Sequence, residues 1–239
     1  MNFYNTLSKV YDVIFPEDEE VTEFLCKDLK KQSDVLDLAC GTGSYAIALG
    51  NRGYRVTGVD LDSTMIDLAI KKDSKSLVNF IAEDMLTFTE KINKEKYNMV
   101  YCVGNSLVHL EGIEAVKALS QNVYNILYSQ GEFLLQIINF DRILDNNIKS
   151  LPTIERKEKG ISFQRNYNRV KDKIEFKTIL FVQAEGQKYE NSVGLLPIRS
   201  KELKEILLAI GFSKVEVYGD FSGKKYEKED YLTVIRAIK

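Results

Sequence analysis

The stretch VLDLACGTGSYA, residues 35–46, runs an apolar strand into a turn holding Gly41 and Gly43 and then into a helix. Glycine lets a ligand approach the main chain, and the free amides of a helix start are donors for it. The next strand ends on Asp60, in VTGVD. A carboxylate there accepts hydrogen bonds from the two hydroxyls of an adenosine ribose. Asp84 follows a third apolar segment, in IAEDM. A fourth, YNMVYCVGNSLVHL at 97–110, turns polar at Gly104, Asn105 and Ser106 and carries His109, the only histidine in the chain. Gly104 permits close approach, the side-chain carbonyl of Asn105 can accept from an amine, and an imidazole suits a proton acceptor. Each residue also has a purely structural reading. A glycine pair can form a tight turn, Asp60 and Asp84 can cap helices, the latter at Leu86, and His109 can pack beneath its loop.

Positioning such residues requires strands that end together. Hydrophobic periodicity predicts strands at 35–39, 55–60, 78–82, 98–103 and 132–138. Helices are expected at 17–31, 44–52, after a Ser63 cap, and at 113–128. This alternation implies a mostly parallel α/β sheet covered on both faces, Rossmann-like and doubly wound. After Asp141 the period falls to two, and 161–196 reads as an antiparallel meander of three or four strands, with turns at Lys-Asp-Lys and Ala-Glu-Gly. A helix at 200–210, capped by Ser200, and strands at 214–218 and 231–238 complete the α/β pattern. The expected division is a main domain of 1–145 and 196–239 with an inserted antiparallel unit at 146–195. On the strand around 167, Phe163, Arg165, Tyr167 and Arg169 share one face by their odd spacing, mixing aromatic and cationic groups.

Composition narrows the partners. The chain has 239 residues, 44% hydrophobic and 28% charged, with a net charge of −2. No basic block suggests nucleic acid, and no apolar run reaches the roughly 20 residues that span a bilayer. The N-terminus lacks the pattern of a signal peptide. Three scattered cysteines and one histidine do not make a usual zinc site, so no metal is expected. The reading is a cytoplasmic protein, monomer or homodimer, with no nucleic-acid or membrane partner.

Asp37 to Gly43, DLACGTG, resembles the D/E-x-G-x-G-x-G motif of class I S-adenosylmethionine-dependent methyltransferases, with Ala39 in place of the first glycine. The resemblance implies S-adenosylmethionine as cofactor. Ala39, Cys40, Gly41 and Gly43 would form its turn, Asp60 would hold the ribose, and Leu61 and Met65 would pack near the adenine. Asp84 and Met85 would lie at the adenine edge, and Val103 and Gly104 at the end of strand four. Tyr4 and Tyr11 resemble N-terminal tyrosines that close over the methionine end, and Asp12 completes a Tyr-Asp pair like the family's.

Within that family, GNSLVHL and the strand-five exit LLQIINFDRIL resemble glycine and sarcosine N-methyltransferases. Those enzymes carry an arginine where this chain has Ile138, so a carboxylate clamp is missing there, and Arg142, Arg165 and Arg199 are candidates to replace it. The expected activity is methyl transfer to a small-molecule acceptor, more readily to an amine nitrogen, with Asn105, His109 and Tyr167 as catalytic candidates. The insertion implies either a cover for the acceptor or a dimer contact. Two other readings compete. Gly41-x-Gly43-x-x-Ala46 also satisfies a dinucleotide pattern, hence an NAD-type oxidoreductase, and a noncatalytic cofactor-binding module would keep the same turn.

Overall fold

The computed structural model describes residues 3–92 and 96–239, with side chains from residue 6 onward. The side chain of Tyr4 therefore lies outside the described residues. A seven-stranded sheet runs in the order β10-β11-β5-β4-β1-β2-β3. Its strands are β1 (Asp34–Leu38), β2 (Arg55–Asp60), β3 (Val78–Ala82), β4 (Tyr97–Cys102), β5 (Leu127–Ile138), β10 (Lys214–Tyr218) and β11 (Leu232–Ile238). β11 runs against the other six strands, antiparallel to both β10 and β5. Every residue of β1 is buried between covered faces, which explains its apolar Val35, Leu36 and Leu38, and Asp37 is buried among them. Its one costly end is Asp34, which Arg55 neutralises from β2 with two bonds of 2.7 and 2.8 Å.

Chain order reverses at β1, with β2 and β3 on one side and β4 and β5 on the other. This switch point opens a crevice at the carboxyl ends of β1 and β4, where ligands of such sheets bind. The helices on the faces are α2 (Glu19–Cys26), α3 (Ser44–Asn51), α4 (Ser63–Lys72), α5 (Ile113–Ile126) and α7 (Ser200–Ile210). No helix among the described residues is long and apolar enough to cross a membrane.

A second, four-stranded antiparallel sheet comprises β6 (Ser150–Arg156), β7 (Ile161–Val170), β8 (Lys173–Val182) and β9 (Gln187–Leu195). Pro152 interrupts the pairing of β6 between Leu151 and Ile154, so this strand lacks the clean alternation that betrays the other three. Two-strand turns form at Lys171, with φ 55, and at Gly186, with φ 62.

Several boundaries move. A helix α1 (Phe3–Ile14), which the sequence reading leaves unassigned, packs Val10, Val13 and Ile14, with Phe15 just beyond it, on Ile161, Phe163 and Leu180 of the second sheet. Phe15 meets Phe163 edge-on at 5.6 Å between ring centroids. The acidic helix is shorter than 17–31, because Asp18 caps it at the start and the chain turns at Lys27. The helix after β2 is capped by Asp62 rather than Ser63, with Oδ1 2.8 Å from the Thr64 amide. Ser200 is likewise the first residue of α7 rather than its cap, and its hydroxyl donates to Asp141 at 2.5 Å. A short helix α6 (Phe140–Asp145) follows β5, capped by Asn139.

Candidate active site at the strand exits

The turn after β1 needs left-handed backbone at three places: Ala39 (φ 62), Gly41 (φ 55) and Gly43 (φ 71). At Gly43 the demand is doubled, because an added Cβ would lie 2.6 Å from Phe80 Cζ. Ala39 tolerates the same conformation at some cost, of order 1 kcal/mol. The turn is tied to β2 by two bonds. The Cys40 amide donates to the Val59 carbonyl at 3.0 Å, and the Gly41 amide to Asp60 Oδ2 at 2.7 Å.

Asp60 is thus a hub. Its Oδ1 accepts from the Asp62 amide at 2.9 Å, and burial raises its pKa against these two bonds. Each oxygen accepts one bond and keeps capacity for another. Beyond it Leu61 is 73% exposed, while Met65 is buried beneath. At the exit of β3, Asp84 Oδ1 accepts from the Leu86 amide at 2.8 Å, the cap foreseen as its structural alternative, and leaves its other oxygen free of it. Met85 beside it is partly buried.

Helix α1 closes over this turn. The ring of Tyr11 lies 3.7 Å from where a side chain on Gly41 would begin. Burial first, then the charge of Asp60, pushes its phenol up to about 12. Asp12 clasps the same turn. Its carboxylate accepts from the hydroxyls of Thr42 and Ser44 and from Lys72 Nζ at 2.7 Å, and Lys72 also donates to both hydroxyls at 3.0 and 2.9 Å. Thr42 and Lys72 escaped the sequence reading, since nothing in a surface lysine on a helix announces a partner 60 positions away.

Beneath the turn, Asp37 is 2% exposed and accepts from the hydroxyl of the fully buried Tyr101 at 2.8 Å. Burial outweighs that bond and raises the carboxyl from 3.8 to about 8. The folded protein therefore holds this proton through a range where the unfolded chain has lost it. Stability from this group is full below the ordinary pKa and declines as pH rises toward 8. Asp37→Asn keeps an acceptor for Tyr101 without the titration. We expect its melting temperature to stay nearly flat from pH 5 to 8, where the parent loses on the order of 3 kcal/mol from this residue. Parallel thermal melts check it; equal pH slopes in both proteins would contradict a buried, raised carboxyl.

At the exit of β4, Gly104 (φ 86) is exposed, with open space on its side-chain face. Two side chains lock this loop to β5. Gln136 Oε1 accepts from the Gly104 amide at 2.7 Å, and Asn105 Oδ1 accepts from the Ile138 amide at 2.9 Å. Asn105 itself takes φ 72. Its carbonyl is thus engaged in holding the loop beside Val103 and Gly104. Gln136, in an apolar strand, is a polar residue that the reading passed over; a buried glutamine between leucine and isoleucines was the available signal. His109 is exposed at the end of the 3-10 turn Ser106–His109, and partial burial of its ring lowers its pKa.

The β5 exit is fully satisfied. Asn139 accepts from the Arg142 amide and the Tyr226 hydroxyl and donates to two carbonyls of the C-terminal segment. Arg199 binds Asp141 and Asp145 at 2.9 and 2.7 Å, and Arg142 lies 4.3 Å over the Tyr231 ring. Tyr167 comes from the second sheet. Its ring stacks on Phe176 within the main core, and its buried hydroxyl has no hydrogen-bond partner. No hydrogen bond joins Asn105, His109 and Tyr167 to one another among the described residues. A groove of about 530 Å³ lies elsewhere, at the opposite end of the strands between Asp34, Tyr54, Leu77 and Tyr97.

The chain is a S-adenosylmethionine-dependent methyltransferase, and S-adenosylmethionine is its cofactor. The family model described as "Methyltransferase domain" matches residues 35–131. The chain is 27% identical over 212 residues to a glycine/sarcosine N-methyltransferase of Aphanothece halophytica, covering 87% of this chain and 77% of that protein. It is 25% identical over 206 residues to one from Halorhodospira halochloris, covering 83% and 73%. In fold it is similar to a S-adenosylmethionine-dependent methyltransferase from Clostridium acetobutylicum (TM-score 0.80, 19% identity, 99% of both chains). It is also similar to an amino pentose methyltransferase from Micromonospora echinaspora with SAM bound (TM-score 0.68, 16% identity, 100% and 98%). The oxidoreductase and noncatalytic readings of the glycine turn give way to this.

Proposed function

We propose that the protein transfers the methyl group of S-adenosylmethionine to the nitrogen of a small-molecule amine. The single observation behind the acceptor is the β4 exit, where exposed Gly104 and its Asn105–Ile138 and Gln136 locks build an open floor beside the glycine turn. The similarity to glycine/sarcosine N-methyltransferases points the same way.

The turn fits the cofactor: Gly41 carries no side chain beneath the Tyr11 ring, and Asp60 retains acceptor capacity for a ribose. Ala39, Cys40, Gly41 and Gly43 would line it, Leu61, Met65, Asp84 and Met85 would enclose the adenine end, and Tyr11 and Val103 the sulfonium end. The cofactor supplies an electrophilic methyl on sulfur, so the protein needs no metal. The chain's own task is to hold an acceptor lone pair in line and to exclude water, for which α1 is the cover over the turn. Asn105 acts by fixing the floor. His109, its pKa lowered, is neutral at pH 7 and able to take a proton from the acceptor. Tyr167 offers its unpartnered hydroxyl from the second sheet. In this reading 1–145 and 196–239 form the methyltransferase domain, and 146–195 covers the acceptor.

The test is incubation with carbon-13-methyl S-adenosylmethionine and a panel of amines, each beside the alcohol of the same shape. Products carrying N-methyl carbon shifts, formed faster as pH rises toward each amine's own pKa, are expected. Transfer confined to the alcohols would overturn the nitrogen assignment.

A further inference from the structure

The inward face of the second sheet is divided along its strands. At one end Ile161, Phe163, Leu180, Val182 and Tyr189 pack around α1, which Asp12 fastens to the glycine turn. At the other end Tyr167, Ile174 and Leu195 belong to the main core, and Leu196 donates to the carbonyl of Val108, three residues past Asn105. The row between these ends therefore hangs between the β1 exit and the β4 exit. On β7 and β8 it is polar. Arg165 stands opposite Thr178 in the β7–β8 register, with Tyr167 two positions further on the same face. Arg165 Nε, Thr178 Oγ1 and the Tyr167 hydroxyl are all buried without a hydrogen-bond partner.

Buried polar atoms are almost always paired, and a desolvated guanidinium without a counter-charge is costly. Three unpaired donors side by side on one sheet are thus a site, not a packing accident. Among the described residues Arg165 makes one hydrogen bond, from Nη2 to the Pro152 carbonyl at 2.8 Å, and no ion pair. The other two arginines that might stand in at Ile138 are committed, Arg199 to Asp141 and Asp145, Arg142 to the Tyr231 ring. We propose that the acceptor carries an oxyanion, a carboxylate or a phosphate, and that Arg165, Thr178 and Tyr167 bind it from the roof of the site. An oxyanion has several lone pairs in a plane or cone that a guanidinium and two hydroxyls can meet together. The anion is then held by the inserted sheet, and the strand-five exit is left apolar at Ile138. This rests on the amine reading above only for the other end of the acceptor.

The full-length protein, labelled with nitrogen-15 arginine and saturated with S-adenosylhomocysteine, tests the subsite without turnover. The Arg165 Nε–H resonance, assigned by its loss in Arg165→Lys, is followed during titration with glycine, β-alanine, 4-aminobutyrate and phosphoethanolamine, and with ethanolamine and 3-aminopropanol as neutral counterparts. We expect a saturable shift with at least one anionic amine, at least tenfold tighter than with its neutral counterpart. Saturation by the carboxylates or by the phosphate identifies the source of the anion. Thr178→Val should weaken that binding several-fold, while S-adenosylhomocysteine affinity stays unchanged and reports an intact fold. No saturable shift with any anionic amine, or equal affinity for the neutral ones, overturns the proposal. Anion binding without any N-methyl product would instead refute the amine reading and leave the subsite standing.

Discussion

Asp60→Ala is expected to weaken S-adenosylhomocysteine binding by about two orders of magnitude. The carboxylate is the acceptor proposed for both ribose hydroxyls, and two charge-assisted hydrogen bonds at 1.5–3 kcal/mol each set roughly that scale. The same carboxylate also holds the turn through the Gly41 amide at 2.7 Å and the start of α4 through the Asp62 amide at 2.9 Å. Its removal leaves both donors unpaired, so a loss of stability on the order of 1–3 kcal/mol accompanies the loss of affinity. Asp60→Asn separates the two effects. It keeps one carbonyl acceptor but no charge, and about a tenfold loss of affinity is expected with a smaller loss of stability. Calorimetric titration of the three proteins, with melts alongside, checks this. An unchanged affinity in Asp60→Ala would remove Asp60 from the cofactor site.

Gly43→Ala is expected to be the most destabilising single-methyl addition in the turn, by roughly 2–4 kcal/mol. A residue with a Cβ at φ 71 costs of order 1 kcal/mol. The new methyl would also stand 2.6 and 2.7 Å from two ring atoms of Phe80 and 3.1 Å from Ala69 Cβ, an overlap worth about 1–3 kcal/mol. Phe80→Leu in the same protein removes most of the overlap but not the backbone cost, so the pair should couple favourably by about 1–2 kcal/mol in a double-mutant cycle. Gly41→Ala is the contrast. Its nearest neighbour is Tyr11 at 3.7 Å, an ordinary contact, so stability should fall by only about 1 kcal/mol while the methyl intrudes on the proposed cofactor position. Equal destabilisation at positions 41 and 43 would contradict the packing described for Phe80.

Much of this was legible before any coordinates. The five parallel strands show in runs such as VLDLA and VTGVD because buried parallel strands need apolar residues on both faces. The meander shows in its period of two, except at β6, where Pro152 breaks the pairing and the pattern together. Helix α1 stayed hidden because its apolar face answers to the second sheet, a partner more than 140 residues away that local periodicity does not reveal. At the site, glycines and acids announce themselves because few residues tolerate φ 55 or stand at strand ends without cause. The network around Asp12 and Lys72 and the lock by Gln136 did not, since polar residues gain their meaning from partners brought close only by the fold. Asn105 illustrates the limit: its type and place suggested an acceptor contact, while its carbonyl oxygen serves the Ile138 amide.

The location of the cofactor carries everything else, and amide hydrogen exchange with and without S-adenosylhomocysteine tests it most directly. Slower exchange is expected in peptides covering 39–43, 60–62, 83–86 and 103–106, the exits of β1 to β4, and in α1 over the turn. Unchanged exchange there, with protection instead around Tyr54, Leu77 and Tyr97 at the opposite end of the sheet, would contradict the account.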